Sequence, residues 1–215
     1  KIFVHHMSIN LSAITAFLDK TLSVDSIPDA SRALNGLQLE NGGTVSKVAA
    51  AVDGSEKAIH AALETGADLL LLHHGIFWQP MQPITGIAYR KLKAAMDGNL
   101  AIYAAHLPLD VHPAYGNNAL LAKACGLRPC SHDGLDYHGV SLGTHGEFPG
   151  TCRELAQRLG DAAHGDATVG ALRSVRLYLE IAFAVALGDQ ILRRNAVVVG
   201  QHVGHRLGTT VGQRQ

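Results

Sequence analysis

Apolar and polar positions recur along the chain with two different periods, and the changes between them mark out the elements. Leu11, Ile14, Phe17, Leu18 and Leu22 form the stripe of an amphipathic helix, which Asn10 or Ser12 can cap. Residues 45–52 form an apolar run that reads as a strand, closed by Asp53-Gly54. Ser55 then caps a helix with Ala58, Ile59, Ala62 and Leu63 on one face and Gly66 as its stop. Leu69-Leu70-Leu71-Leu72 follows at once, and such a run between turn residues predicts a strand covered on both faces. A helix over 87–96, stopped by Gly98, and a strand over 100–105 repeat the pattern. Strand, helix and strand at these intervals predict βαβ units, and with them an α/β fold built on a parallel sheet flanked by helices.

The third strand runs into His106-Leu107-Pro108-Leu109-Asp110, where Pro108 breaks regular pairing and places Asp110 on a loop. Tyr115-Gly116-Asn117-Asn118 reads as a turn opening a helix over 119–125, with Gly126 as its stop. Residues 129–137 read as a polar connection and a domain seam, and 140–148 as a strand. Thr151 and Glu154 have the spacing of a capping box for a helix over 152–159. Further strands are expected within 175–187 and over 196–199, the latter leading into Gly200-Gln201-His202-Val203-Gly204-His205. Residues 1–6 resemble a tag remnant before Met7; 7–128 form a first α/β lobe and 129–215 a second, shortened or atypical one. Asn35-Gly36 reads most simply as a turn.

Composition narrows the functional classes. With 47% hydrophobic and 17% charged residues, the 215-residue chain is of globular type. Lys plus Arg equals Asp plus Glu at 18 each, so no net charge draws it to nucleic acid or an anionic membrane. Three cysteines, Cys125, Cys130 and Cys152, without CxxC spacing suit free thiols in a reducing compartment. No apolar run reaches transmembrane length, and a cytoplasmic location is expected.

The chemistry lies where the leucine strand ends. His73-His74 leave one strand and His106 and Asp110 leave the next, so parallel strands deliver all four to the carboxyl edge of the sheet, where open α/β sheets bind ligands. Imidazole and carboxylate are ligands for zinc, iron and manganese. Neighbouring side chains on a strand point to opposite faces, which makes His73 and His74 awkward ligands for one ion. Where the backbone turns they can serve two ions, about 3.5–4 Å apart in known pairs, with Asp110 suited to bridge. His106 is a candidate ligand, a partner behind a ligand, or a proton carrier. Neither GxxxxGK[ST] nor GxGxxG follows a strand. Gly139-Val140-Ser141-Leu142-Gly143 matches GxSxG, but polar neighbours on both sides argue against a nucleophile elbow. His60, His112, His132, His138, His145 and His164 read as surface residues, and Phe77 and Trp78 as core or interface before a platform for a planar base.

Asn35-Gly36-Leu37-Gln38, His73-His74-Gly75-Ile76-Phe77-Trp78, the 103–110 stretch through His106-Leu107-Pro108-Leu109-Asp110, and Tyr115-Gly116-Asn117-Asn118 together resemble the Nif-three-like family of dinuclear-metal hexameric proteins. The resemblance runs from about Leu34 to Leu127. It implies two related α/β lobes, a toroidal homohexamer, and two divalent metal ions per chain (zinc, iron or manganese) held by His73, His74 and Asp110 with His106 close by. It further implies a type 2 GTP cyclohydrolase I homologue, a hydrolase in which metal-activated water would open the ring of a nucleotide, with His106 as candidate proton shuttle. The alternative it leaves is a non-catalytic, metal-stabilised ring scaffold or regulatory binding protein. The family closes its site with Gly-His and a Glu four positions on; this chain has no Glu after Glu180, and two registers of its tail both bring His205 to a ligand position.

Overall fold

The computed structural model describes residues 8–78, 83–163, 177–181 and 197–200. The chain divides into two compact units, Lys1–Asp110 and Val111–Gln215.

In the first unit β1 (Ile9–Asn10) leads into α1 (Leu11–Leu22), β2 (Gly36–Leu39), β3 (Thr44–Val45), β4 (Val48–Asp53), α2 (Glu56–Glu64), β5 (Leu69–His74), α3 (Gly86–Asp97), β6 (Ala101–Ala104) and the short α4 (Leu107–Asp110). The sheet order is β2-β6-β5-β4: β4, β5 and β6 are parallel, and β2 joins the far edge antiparallel to β6. The fold class is therefore α/β with a mixed sheet flanked by helices, as expected. The period of two sorts the apolar side chains between two cores. Leu70, Leu72, Ile102 and Ala104 pack with Ile59 and Ala62 of α2 and Ala95 of α3. Leu69, Ala101, Tyr103 and Ala105 face the other way, onto Leu11 and Leu22 of α1. Burial on both faces is what the leucine run required.

Local chemistry sets the ends. Ser55 caps α2, its hydroxyl accepting the Ala58 N–H at 3.1 Å. Asn10 occupies the cap position of α1 but makes no side-chain cap bond. The single strand expected over 45–52 is two, because the Asp68 carboxylate accepts the N–H groups of Ser46 and Lys47 at 2.8 and 2.9 Å and so takes them out of the ladder.

The second unit carries α5 (Asn117–Cys125), β7 (Arg128–Tyr137), β8 (Val140–Phe148), α6 (Cys152–Ala163), β9 (Leu177–Ile181) and β10 (Val197–Gly200). Its sheet is antiparallel, in the order β10-β9-β8-β7. The polar stretch 129–137, expected as a connection, is strand β7. His138 and Gly139, both at positive φ (52° and 85°), form the two-residue turn that folds it onto β8. The GxSxG string thus lies in a hairpin rather than at a strand-to-helix elbow. The capping box of α6 is present: Thr151 N–H donates to Glu154 at 2.6 Å, and Glu154 N–H to the Thr151 hydroxyl at 3.2 Å.

Candidate metal centre

Strand β5 ends in His73-His74, and its register with β4 sets His74 beside Asp53. After His74 the chain turns at Gly75, against which the amide of Gln38 packs; any side chain there would collide with it. Gln38 also accepts the Ile76 N–H at 2.7 Å, which holds the corner. On the neighbouring strand Ala105 N–H donates to Leu72 O at 2.9 Å, carrying the ladder to the edge of His106. From His106 the chain enters α4, whose Asp110 N–H returns to His106 O at 3.1 Å. Asp110 therefore sits on one helical turn, not on the expected loop. Pro108 suits the opening of that turn, where no intrahelical N–H is needed.

Three imidazoles converge. One ring nitrogen from each of His73, His74 and His106 lies within 4.8 Å of the others. Ring centroids are 4.6 Å apart for His73 and His74, 5.1 Å for His73 and His106, and 5.6 Å for His74 and His106. Asp110 joins from the side, its Oδ1 3.7 Å from His73 Nε2. His106 and Asp110 are buried, while His73 and His74 are partly open. The turn at Gly75 thus brings the adjacent histidines together despite the alternation of the strand.

Each ring is held from behind at Nδ1: His73 by Ala105 O at 3.1 Å, His74 by Asp53 Oδ1 at 2.7 Å, His106 by Asp29 Oδ1 at 2.8 Å. A carbonyl and a carboxylate can only accept, so in a neutral ring each of these contacts calls for the proton on Nδ1 and leaves Nε2 its lone pair. Metal-ligating histidines are held in this way. The Nε2 of His106 is buried with no hydrogen-bond partner among the described residues, a costly arrangement unless something else is meant to meet it. Burial, with the neighbouring His74 and His106, pushes the His73 imidazole down to about 4, so it is neutral and able to donate its lone pair at neutral pH. An imidazole-rich set with one carboxylate suits zinc, iron or manganese, so these residues fit the ion that the sequence implied.

Trp78 packs edge-on against two of the rings, at 4.8 Å from His106 and 5.7 Å from His74. It is half-buried beside the cluster rather than in either core. His205 lies outside the described residues. Sequence reasoning overlooked Asp29 and Asp53, and gave Asn35 no role at the site beyond its turn and its place in the resemblance. Asp53 was accessible from the matching strand lengths of β4 and β5, since in-register parallel strands must end side by side.

Residues 9–185 match the model of one protein family, Duf34/NIF3 (NGG1p interacting factor 3). The chain belongs to that family. Among its curated relatives, the Deinococcus radiodurans protein is 42% identical over 142 residues, 66% of this chain and 52% of its own length. The Pyrococcus abyssi protein is 36% identical over 189 residues, 87% of this chain and 69% of its own length. Both carry the name GTP cyclohydrolase 1 type 2 homolog. A Thermus thermophilus protein of known crystal structure superposes with a TM-score of 0.65 at 37% identity, over 74% of this chain and 63% of that one. The chain spans about half to two-thirds of the length of the first relatives, 52% and 62% for those of Deinococcus radiodurans and Archaeoglobus fulgidus. As a NIF3-family chain it carries the histidine cluster in the unit formed by residues 1–110. No helix among the described residues is long and apolar enough to cross a membrane.

Proposed function

We propose that this NIF3-family chain is a dinuclear-metal-dependent hydrolase-like protein acting on a nucleotide such as GTP. The observation that carries the reading is the convergence of three imidazoles whose Nδ1 atoms are all engaged from behind, leaving three Nε2 lone pairs for one site. His73, His74, His106 and Asp110 would hold the ions. Bound divalent ions of this kind supply Lewis acidity and lower the pKa of water to near neutrality. The burial of His106 and the engagement of its Nδ1 favour holding metal over shuttling protons. Trp78, half-buried beside the cluster, offers an apolar ring surface to a purine. The name shared by the relatives supports the substrate class. Assembly as a homohexameric ring and a cytoplasmic location belong to the same reading.

Zinc titration tests the site, followed by the emission of Trp78, the chain's single tryptophan, with metal content measured on the loaded protein. The expected result is saturation at two ions per chain, loss of that response in His74→Ala, and metal-dependent turnover of GTP or a related nucleotide. A chain that binds no metal refutes the site.

A second reading, a non-catalytic metal-stabilised ring scaffold, keeps the same histidine cluster and gives its ions a structural role only. It gains if metal raises stability and assembly while no nucleotide is turned over.

A further inference from the structure

The loop between α1 and β2 closes on His106 from behind, and its centre is Asp29. The Asp29 side chain is 6% exposed and that of His106 2%. Oδ1 of Asp29 takes the His106 Nδ1–H at 2.8 Å and the Ala30 N–H at 2.6 Å. Oδ2 takes the Leu107 N–H at 3.0 Å and the Asn35 side-chain amide at 2.8 Å. Asn35 in turn accepts the backbone N–H of His106 at 2.7 Å. Ring, own amide and following amide of one histidine are thus all gripped by a segment that contributes nothing to the cluster itself.

We propose that Asp29 is a positioning residue, committing His106 to the Nδ1–H tautomer and so aiming the Nε2 lone pair at His73 and His74. Asn35 locks the same residue through its backbone. The inference rests on the metal reading above for its purpose, but not for its geometry. The opposite tautomer would press the Nδ1 lone pair against a buried carboxylate and turn an N–H into the cluster. The first contact sets a lone pair against a negative charge in a site with little water to screen it, and the second takes away the lone pair that a metal ion would need. The three histidines differ in this respect: a backbone carbonyl holds His73 and an exposed carboxylate holds His74, so the buried carboxylate beneath His106 is the partner that water competes with least. Four donors on one side chain also make it hard to replace, since no neutral residue of the same shape accepts them all.

The first experiment uses the full chain without metal. Ring nitrogen-15 correlation spectra, with His106 identified by its loss in His106→Gln, report which nitrogen bears the proton. Protonated Nδ1 is expected; a proton on Nε2 in the wild-type protein overturns the proposal, whether or not any variant folds. The second compares wild type with Asp29→Asn. The variant is expected to lose the Nδ1–H signature and to bind zinc about 10- to 100-fold more weakly in competition titrations, the range for loss of such an outer partner. If Asp29→Asn melts at a lower temperature yet keeps both tautomer and zinc affinity, Asp29 only braces the fold and the proposal fails. If the wild-type chain binds no zinc, the metal reading falls, while the metal-free tautomer still decides the role of Asp29.

Discussion

His74 donates its Nδ1 proton to Asp53 at 2.7 Å because two parallel strands, Val48–Asp53 and Leu69–His74, end in register. The pair is open to solvent, with side-chain exposures of 25% and 54%, against 2% and 6% for His106 and Asp29. Water can replace an exposed carboxylate as acceptor at small cost. Asp53→Ala is therefore expected to weaken zinc binding by no more than about tenfold, the low end for an outer partner. His74→Ala, which removes a donor outright, should cost far more. Competition titrations on the two variants, side by side, measure the difference.

The metal-free chain should lose stability in mild acid. Burial, reinforced by the neighbouring His74 and His106, lowers His73 to about 4, whereas an unfolded histidine titrates at about 6.5. Between those values the unfolded chain takes up a proton that the folded chain refuses, so stability falls as pH drops through this window and levels off below it. The loss amounts to about 3 kcal/mol over the whole window. Urea unfolding of the metal-free protein at a series of pH values reads the slope, and His73→Gln should flatten it.

Gly75 and Gln38 make a third test. A methyl group at Gly75 would meet the Gln38 amide, which is tied to Ile76 N–H at 2.7 Å and to Leu34 O at 2.6 Å. Gly75→Ala must displace that amide and is expected to cost about 1–2 kcal/mol, the range for lost hydrogen bonds in a partly buried setting. Denaturant midpoints report it. Combined with Gln38→Ala the two effects should fall short of additive, since each removes the same contact.

What could be read from the sequence was whatever local pattern controls. The leucine run, the glycine stops and the repeated strand–helix spacing are short-range signals, and β5, α2, α3 and β6 stand where they pointed. His73, His74, His106 and Asp110 followed from strand ends alone. Strand β7 escaped because its residues lack alternation; what folds it is the positive-φ turn at His138-Gly139 and its pairing with β8. Asp29 escaped for a different reason. Its partner His106 is 77 positions away, and nothing in the spacing of a loop aspartate announces a contact made only by tertiary closure. Asn35 looked like a turn former because Asn-Gly usually is one; here Gly36 takes its positive φ of 95° to open β2 while Asn35 faces His106.

The histidine pair closes a strand that has β4 on one side and β6 on the other, and Gly54 N–H is still bonded to His74 O at 3.0 Å beyond the last residue of β4. These backbone bonds tie the pair to the sheet itself rather than to a loop. A centre mounted on loops would have to be gathered anew around each arriving ion. Mounted here, a metal centre would cost little ordering entropy on capture, and its release rate would be set by the ligands leaving the ion rather than by the protein unfolding around it.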